Sequence, residues 1–363
     1  MNSRQITKIE IEGFKSIKSC ELQLGMVNVL IGSNGSGKTN FISLFKMLQS
    51  MIDGNLQNYV SKNGGPNALL HFGSKRTEEM KASFYFGANV YQFALAPTRD
   101  DRLTFASESF YWAHSGSRRV GSGHMESQWR RGCGNRIDEY VQSILENQKW
   151  RVYHFHDTSD TALVKQIHGI NDNLDFATDA RNLAAFLYRL QQTAEASYHQ
   201  IIKTIQMVAP YFDDFILRPN PMKPDTIRLE WKDKSSDAPF IAAQLSDGTL
   251  RFICLATLLL QPDEVMPETI LIDEPELGLH PYAISLLAAL IKKASMKKQI
   301  IVSTQSVELL NEFEAGDIVV VNHENEQSVF SRLDEEALKI WLDEDYTLGD
   351  LWKRNILGGA AIG

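Results

Sequence analysis

Cysteine is scarce in this chain, and its three cysteines stand far apart. Cys20, Cys133 and Cys254 have neither the close pairing of a zinc site nor the density of a disulfide framework, which excludes both kinds of small stabilised domain. Long apolar runs are also missing, because no stretch reaches the roughly 18 residues of a membrane span, and the polar N-terminus lacks a signal-peptide pattern. These absences predict a cytoplasmic protein without a membrane span.

Positive charge is in deficit as well. The 363 residues contain 37 Lys and Arg against 45 Asp and Glu, which gives a net charge of −8 at pH 7. This balance argues against a surface that is basic throughout, as many non-specific DNA binders have, but it is compatible with a local basic patch. With 43% hydrophobic residues the chain can bury a large core, so we expect one globular head with an inserted lobe rather than several domains.

A complete phosphate-binding loop occupies residues 32–39, which read Gly-Ser-Asn-Gly-Ser-Gly-Lys-Thr. An apolar strand pattern precedes it at 27–31, and apolar pairs at helical spacing follow it at 41–48. In such a loop backbone N–H groups close around phosphate oxygens, the lysine reaches the terminal phosphates and the threonine ligates Mg²⁺. The loop therefore predicts ATP and Mg²⁺ as cofactors. The nucleotide-binding residues predicted here are Asn34, Gly35, Ser36, Gly37, Lys38 and Thr39.

A second motif, at residues 269–281, reads Thr-Ile-Leu-Ile-Asp-Glu-Pro-Glu-Leu-Gly-Leu-His-Pro. Its apolar run predicts a buried strand that ends in two carboxylates. A doubly wound sheet presents such a strand end beside the phosphate loop. We expect Asp273 to hold Mg²⁺ through water, and Glu274 to polarise the attacking water as a general base.

Between these motifs, the residues Ser-Asp-Gly-Thr at 246–249 precede an apolar helix pattern. One interpretation is an ordinary helix N-cap. The other is an anion site, made of a serine, a glycine and helix amides, that closes on the γ-phosphate held by a second copy of the chain. The segment lies just upstream of the Asp-Glu strand, as in the ABC class of ATPases. This position favours the second interpretation and predicts a homodimer that sandwiches ATP, although a higher oligomer is also compatible with the motifs.

The order of these motifs, followed by Ile-Val-Ser-Thr-Gln-Ser at 301–306, resembles the ABC-type ATPase heads of the SMC, RecF and OLD group. More narrowly it resembles the bacterial ATPases of the AAA_21 kind, many of which belong to phage-defence and abortive-infection systems. The opening 9–17, the segment 153–159 and the stretch 348–352 are similar to the same family. The resemblance implies an α/β fold, namely an ABC-type P-loop ATPase head with an antiparallel β lobe and a small inserted helical lobe.

The expected organisation has four parts. They are residues 1–165, the N-terminal part of the head with the phosphate loop and a β meander; 166–225, the helical lobe; 226–332, the C-terminal part of the head with the signature and the Asp-Glu strand; and 333–363, a C-terminal helical segment with a tail.

The resemblance implies the roles already given to the phosphate loop and the two carboxylates, and it adds others. Ser246 and Gly248 would be signature residues that act on the partner's nucleotide, and the loop 276–280 would cross the dimer interface. Lys15 and Ser16 match the position after the first strand that lies near adenine or phosphate.

Two departures from the family pattern bear on hydrolysis. Gln305 stands where the switch position usually carries histidine; glutamine can hydrogen-bond a γ-phosphate but cannot become cationic, so slow or partner-dependent hydrolysis is expected. The glutamine loop of the family has no clear candidate, and a predicted strand over 151–156 occupies its place. His154 and His156 are interpreted there either as helping to ligate the metal or as ordinary alternating strand residues.

A segment rich in glycine and serine, predicted to be a loop over residues 113–136, carries a basic stretch. Arginines beside an aromatic side chain could grip phosphates and stack on a nucleic-acid base. A solvated loop and a surface for a protein partner are the other interpretations, and the net charge of −8 favours the protein partner. The arginines in question are Arg118, Arg119, Arg130 and Arg131, with Trp129 beside the second pair.

The function expected from all of this is an ATP-binding and hydrolysing, nucleotide-gated switch or scaffold. It would control a separate effector encoded nearby, a nuclease or a toxin, in bacterial anti-phage defence. About 30 residues follow the expected end of the sheet near Phe330, too few for a nuclease domain, which would need about 50 or more. The alternative is a RecF- or SMC-like DNA-repair ATPase that binds DNA directly. A transporter subunit is a third hypothesis, against which the opening and the 269–281 motif argue.

Overall fold

The computed structural model describes residues 5–112, 116–132, 150–342 and 346–358. Part of the predicted arginine-bearing segment, and the last residues of the predicted tail, lie outside these ranges. None of the helices in the described part of the chain combines the length and the apolar character needed to cross a membrane.

The chain forms two compact units, each built from separate stretches of sequence. Unit 1 comprises residues 1–152, 267–271 and 301–363, and unit 2 comprises residues 153–266 and 272–300. The phosphate loop therefore belongs to unit 1, whereas the Asp-Glu pair and the signature segment belong to unit 2.

The described residues form strands and helices with the following bounds. The strands are β1 (Lys8–Phe14), β2 (Ile17–Gln23), β3 (Val27–Ile31), β4 (Met80–Phe86), β5 (Asn89–Pro97), β6 (Leu103–Trp112), β7 (Gly116–Gly121), β8 (Trp150–Tyr153), β9 (His168–Gly169), β10 (Phe212–Ile216), β11 (Thr226–Ile227), β12 (Glu230–Asp233), β13 (Pro239–Ile241), β14 (Thr269–Asp273), β15 (Gln299–Thr304), β16 (Ile318–Glu324) and β17 (Gln327–Arg332). The α-helices are α1 (Lys38–Ile52), α2 (Leu56–Lys62), α3 (Pro66–Leu69), α4 (Leu183–Thr193), α5 (Glu195–Val208), α6 (Asp247–Leu260), α7 (Pro281–Ser295), α8 (Val307–Leu310), α9 (Glu335–Leu342) and α10 (Leu348–Lys353).

The predicted β lobe is a six-stranded sheet of unit 1 with the order β2-β1-β4-β5-β6-β7. The expected antiparallel meander is confirmed, since β4 pairs with β5 and β5 with β6 in antiparallel register. Buried residues alternate with more exposed ones along β4, so that Phe84 and Phe86 are buried while Tyr85 is partly exposed. This period of two is what a sheet with one covered face requires.

The loop predicted over residues 113–136 is wrong in part, because β7 lies within it. β7 pairs with β6, so that Arg118 stands opposite Phe110 and Arg119 opposite Ser109, and it forms an edge of the sheet. Residues Trp129–Gly132 form a turn of 3₁₀ helix. Glycine and serine disfavour strands, but pairing with a long neighbouring strand gives the backbone its hydrogen bonds and outweighs that preference.

The second large sheet has the order β17-β16-β3-β15-β14-β8 and includes the strand that precedes the phosphate loop. β3 runs parallel to β16, and all five of its residues are buried, as expected for a strand covered on both faces. Helix α1 follows the loop and is buried almost all round. Its Phe45 ring packs edge-on against Phe84 of the β lobe at 6.1 Å, with Phe41 5.5 Å from Phe45. This aromatic packing fixes the helix whose first turn carries the loop's lysine and threonine.

In unit 2, α4 and α5 lie within the predicted lobe 166–225 and pack against each other; α5 also packs against α6, and α6 packs against α7, both of which follow in the C-terminal part of the head. Their apolar residues recur at helical spacing and are buried, as in Leu183, Phe186 and Leu187 of α4. A small antiparallel sheet, β10-β12-β13, precedes the signature segment and is packed around Trp231, which stacks on Phe240 at 4.9 Å.

Candidate nucleotide site

The phosphate loop of unit 1 has a backbone that only glycine allows at its key positions. Gly35 and Gly37 have φ angles of 80° and 116°, in the left-handed region that other residues rarely adopt. A Cβ on Gly37 would overlap the Ser328 side chain, and a Cβ on Gly32 would overlap the Val321 carbonyl oxygen. The absence of a side chain at Gly32 and Gly37 therefore allows the loop to lie close to strands β16 and β17.

The interior of the loop is polar and buried. Lys38 is buried, and its ammonium donates hydrogen bonds to the carbonyl oxygens of Gly32 and Ser33, the latter at 3.0 Å. Ser36 is 1% exposed, and its hydroxyl has no hydrogen-bond partner among the described residues. A buried hydroxyl without a partner normally costs stability unless a ligand or water satisfies it. The loop thus fits the triphosphate and Mg²⁺ that its sequence predicts, and Thr39 lies exposed in the first turn of α1.

The structure brings the predicted switch residue to the loop. Gln305 follows β15, and its Nε2 donates a hydrogen bond of 2.8 Å to Oδ1 of Asn34, which is an exposed residue of the loop. These two side chains are 271 positions apart in the sequence. The amide of Gln305 therefore lies beside the phosphate loop, and unlike a histidine it cannot carry a positive charge there.

Ser16 lies behind the loop rather than within it. Its hydroxyl is 2.6 Å from the Ser328 hydroxyl and accepts a hydrogen bond of 2.7 Å from Nδ2 of Asn40, the residue after Thr39. Lys15 has a left-handed backbone with a φ of 48° and lines a cavity beside the first turn of α1. Burial, and next the neighbouring Lys46, hold the pKa of Lys15 below its usual value.

In unit 2 the Asp-Glu motif begins at the end of β14. Asp273 is buried, its carbonyl oxygen is 2.8 Å from Nε2 of His156, and its carboxylate is 3.7 Å from Nδ1 of His154. Both histidines lie beyond the end of β8 at Tyr153, so the interpretation as alternating strand residues is wrong. Their contacts instead gather around the aspartate, and metal ligation remains a prediction for them.

Glu274 adopts a left-handed backbone with a φ of 43°, and it directly precedes Pro275. Its carbonyl oxygen accepts a hydrogen bond of 3.3 Å from the Leu277 amide, which closes a tight turn after β14. A residue with a Cβ in this region costs about 1 to 2 kcal/mol. Strain of this kind persists where the surrounding structure holds it, commonly at functional sites.

The signature segment forms the N-terminus of α6. Ser246 is the N-cap residue; its hydroxyl accepts a hydrogen bond of 3.2 Å from the Thr249 amide and lies 2.8 Å from the Thr249 hydroxyl. Ser246 is exposed, and a Cβ on Gly248 would overlap the Gly278 carbonyl oxygen. The cap geometry is therefore present, and the glycine allows the helix start to touch the 276–280 loop.

The sequence profile of the AAA_21 family, described as "AAA domain, putative AbiEii toxin, Type IV TA system", matches residues 27–311, more than half of the chain. The chain belongs to the AAA_21 family. This match confirms the AAA_21 resemblance that the motif order indicated. A comparison with curated protein sequences finds no match.

Solved structures show the fold of this AAA_21 chain. One is the "SmcHead bound to the C-winged helix domain of ScpA", with a TM-score of 0.61 at 18% identity, covering 92% of this chain and 99% of that one. Another is an Smc head domain with an extended coiled coil, bound to the C-terminal domain of ScpA derived from Pyrococcus furiosus. Its TM-score is 0.58 at 16% identity, with 94% of this chain and 99% of that one covered. At these identities the likeness establishes the ATPase-head fold.

One residue of the AAA_21 head that sequence reasoning missed is Arg251, in the second turn of α6. Its guanidinium donates three hydrogen bonds to backbone carbonyls, at 3.0 Å to Phe155, 2.8 Å to His156 and 2.6 Å to Leu277. One side chain therefore ties the signature helix to the segment that contacts Asp273 and to the 276–280 loop. The sequence offers no signal for this role, because the acceptors are backbone groups.

The basic stretch of this AAA_21 protein is divided in the structure. Arg118 and Arg119 lie on the edge strand β7, where Arg119 is exposed. Trp129 is 1% exposed, and its indole N–H donates to the Ile52 carbonyl oxygen at 3.2 Å. The guanidinium of Arg130 lies over the Trp129 ring at 4.8 Å. The indole is buried in the core, so it is not available to stack on a nucleic-acid base as the nucleic-acid interpretation requires.

Proposed function

We propose that this protein binds and hydrolyses ATP and works as a nucleotide-gated dimeric switch or scaffold that controls a partner effector, a nuclease or toxin, in bacterial anti-phage defence. The observation that carries the nucleotide part is the phosphate loop with its buried Lys38 and its contact to Gln305. The family description, which names a toxin and a type IV TA system, supports the defence part. In this proposal the protein acts in the cytoplasm.

The proposed chemistry divides between groups with different tasks. Lys38 and the loop amides bind the phosphates, and Gln305 donates a hydrogen bond to the γ-phosphate. Thr39 and Asp273 would hold Mg²⁺, which neutralises charge on the phosphates when it is bound. No cluster of three metal-binding side chains occurs among the described residues, which fits an ion that takes part of its ligands from the nucleotide. Glu274 would orient and deprotonate the attacking water.

The dimeric part of the proposal is supported by the signature segment. Its serine is exposed at a helix N-terminus, where amide groups and the helix dipole favour an anion. A second copy that presents its γ-phosphate to Ser246 and Gly248 would complete that anion site. The partner part is supported by the two similar SMC heads, each of which was solved with a bound domain of ScpA.

The variant Glu274→Gln tests the switch, because it keeps the side-chain volume but removes the proposed base. We expect it to bind ATP, to stop hydrolysis, and to double its mass in light scattering when ATP and Mg²⁺ are added. The exposed Glu264 of unit 2 offers a matched control, and Glu264→Gln should hydrolyse ATP like the parent. Hydrolysis by Glu274→Gln at the parental rate would overturn the assignment of the base. An ATP-bound mass equal to the nucleotide-free mass would contradict the dimeric switch.

Effector control is tested separately, by co-purification with the products of adjacent genes in the presence and absence of ATP. We expect one product to be retained in a nucleotide-dependent way. Retention of duplex DNA alone, without any protein, would favour the DNA-repair ATPase instead.

A further inference from the structure

The switch position is followed directly by a very short helix. Gln305, whose amide contacts Asn34 of the phosphate loop, precedes Ser306, the N-cap residue of α8. The Ser306 amide donates to the Thr304 hydroxyl at 2.9 Å, and the Ser306 hydroxyl accepts from the Leu309 amide at 3.1 Å. Gln305 therefore stands in a turn that is hydrogen-bonded between β15 and α8, so the position of its side chain depends on where α8 lies.

Helix α8 has four residues, and such a short helix needs support from the rest of the fold. An isolated helix shorter than about 12 residues is marginal in water. Leu309 and Leu310 are fully buried and anchor α8 in the core. Further support comes from the C-terminal helix α10, which belongs to unit 1 as α8 does and packs against it. The helix beside the switch is thus held by a part of the chain that lies outside every nucleotide motif.

The contact between α8 and α10 depends on a glycine. The Gly349 amide of α10 donates a hydrogen bond of 2.6 Å to Oδ1 of Asn311, the residue that follows α8 and lies 38 positions away. A Cβ on Gly349 would overlap Cγ1 of Val307 and Oδ1 of Asn311. A close approach of this kind is possible only where the side chain is absent. Any larger residue at position 349 would therefore push α8 away from α10.

Charge also favours the packing of the two helices. The pKa of the Glu308 carboxyl in α8 is held below its usual value by its own backbone amide and next by the Ser306 hydroxyl, and Lys353 in the last turn of α10 adds a smaller effect. At the other end of α10, Thr347 and Asp350 form a capping box in which the hydroxyl donates to the carboxylate at 2.7 Å. The capping box fixes the start of α10, where the contact with α8 is made.

We propose that Asn311 and Gly349 are positioning residues for the switch, because the contact between α8 and α10 holds Gln305 beside the phosphate loop and thereby sets the rate of ATP hydrolysis. The inference rests on the proposed function and deepens it, since it assigns control of the hydrolytic step to the C-terminal helix. A misplacement of about 1 Å, even when it starts far from the reacting atoms, can slow a reaction about 100-fold. ATP binding should not depend on either residue, because the phosphate loop keeps its own geometry.

Single-turnover kinetics of the full-length chain test the inference. We expect Asn311→Ala and Gly349→Ala to slow ATP hydrolysis about 5-fold, which is the scale of one lost hydrogen bond, and to keep the parental ATP affinity in calorimetry. The loss should not exceed that of Gln305→Ala, which removes the positioned side chain itself. Asn311→Asp retains Oδ1 as the acceptor for the Gly349 amide, so it should hydrolyse ATP at the parental rate.

Two variants of unit 1 serve as matched controls. Gly316→Ala adds a Cβ that would make only an ordinary contact, 3.6 Å from Oε1 of Glu335. Asp334→Ala removes another exposed side-chain oxygen that accepts a backbone hydrogen bond, in this case from the Glu336 amide at 3.0 Å. Both controls should hydrolyse ATP like the parent.

A combination with Gln305→Ala separates positioning from a general loss of structure. In that background Asn311→Ala and Gly349→Ala should have no further effect on the rate, because the side chain that they position is gone. The same fold-loss in the Gln305→Ala background, or parental hydrolysis by both single variants, would overturn the inference.

Hydrogen exchange gives a readout that does not require hydrolysis. In nucleotide-free Gly349→Ala the amides of residues 309–311, which are hydrogen-bonded in α8, should exchange about 5-fold faster than in the parent, while those of α1 stay unchanged. If exchange rose in this way but the parent did not hydrolyse ATP, the proposed function would fail and the dependence of α8 on α10 would stand. Parental exchange in Gly349→Ala would show that α8 keeps its place without α10, and would overturn the inference.

Discussion

The two segments proposed to bind anions, the phosphate loop of unit 1 and the signature segment of unit 2, are built in different ways. In the loop, buried Lys38 and Ser36 sit inside a backbone that only glycine permits at Gly37. In the signature segment, exposed Ser246 caps its own helix through the Thr249 amide, as many serines do. The phosphate loop therefore has the geometry expected of a phosphate site by itself. The N-cap at Ser246 would become part of such a site only when a second surface that bears an anion binds to it.

The largest effect is expected at the loop. Lys38→Ala removes a buried ammonium, and we expect ATP affinity to fall about 100-fold or more, as for other buried charged hydrogen-bonding groups. Lys62→Ala removes an exposed lysine from the end of α2 and should bind ATP normally. Calorimetry measures the affinity. Unchanged ATP affinity in Lys38→Ala would show that residues 32–39 are a glycine-rich turn that does not bind phosphate.

The second effect lies in unit 2, at the arginine that supports the signature helix. Arg251→Ala leaves three carbonyls without their donor, so the free energy of unfolding should fall by about 2 kcal/mol, and hydrolysis should be lost. ATP affinity should remain, because the phosphate loop belongs to unit 1. Denaturant titration and an ATPase assay measure these quantities.

Arg181→Ala is the matched control for Arg251, because Arg181 is half exposed and its ion pairs, at 3.6 and 3.8 Å, lie on the surface. Surface pairs of this kind contribute little to stability. An Arg251→Ala protein with parental stability and parental hydrolysis would show that α6 and the 276–280 loop do not depend on this side chain.

A smaller effect is expected at Gln305. Gln305→Ala should slow hydrolysis about tenfold, the value of one hydrogen bond near 1.4 kcal/mol, with ATP affinity nearly unchanged. Gln305→His supplies a side chain that can become cationic and should hydrolyse faster than the parent. Single-turnover kinetics separate the chemical step from binding. Equal rates for all three proteins would place Gln305 outside the reaction.

The smallest effect on the nucleotide site is expected from the basic stretch. Replacing Arg118, Arg119, Arg130 and Arg131 by Ala should leave ATP binding intact and abolish retention of the protein effector. If the stretch bound duplex DNA, the log–log salt dependence would instead flatten by about 0.9 per lost phosphate contact. Filter binding across a salt series distinguishes the two. Tight DNA binding by the parent near physiological salt, lost in the variant, would favour nucleic acid over the protein partner.

The sequence alone predicted the features of this molecule that depend on residues close together in the chain. The phosphate loop, the alternating strands of the β lobe and the apolar stripe of α4 are each specified within a few residues, by φ requirements and by periodicity. The fold of the head follows from the order of such motifs. The pairing of Gln305 with the loop agreed with the family order, but its partner Asn34 became known only from the structure.

Contacts between distant residues could not be read in the same way. Ser328 lies 312 positions from Ser16 in the sequence, and its side chain fills the space beside Gly37. No motif in the sequence around Ser328 indicates these contacts. The partners of Arg251 are carbonyl oxygens, which every residue carries. β7 has the composition of a loop, and Trp129 looked available for stacking until its burial was known. In each case tertiary partners, rather than local preference, decide the outcome.

At Glu274 the backbone conformation lowers stability, while the side chain is the proposed catalytic base. Its left-handed conformation costs about 1 to 2 kcal/mol, which Glu274→Gly would recover in part while deleting the proposed base. If the proposed role of Glu274 holds, Glu274→Gly would be more stable but would not hydrolyse ATP, so selection for stability alone would favour glycine over glutamate at this position. Screens for thermostability would therefore be expected to recover glycine in the tight turn after β14, at the expense of the proposed hydrolysis.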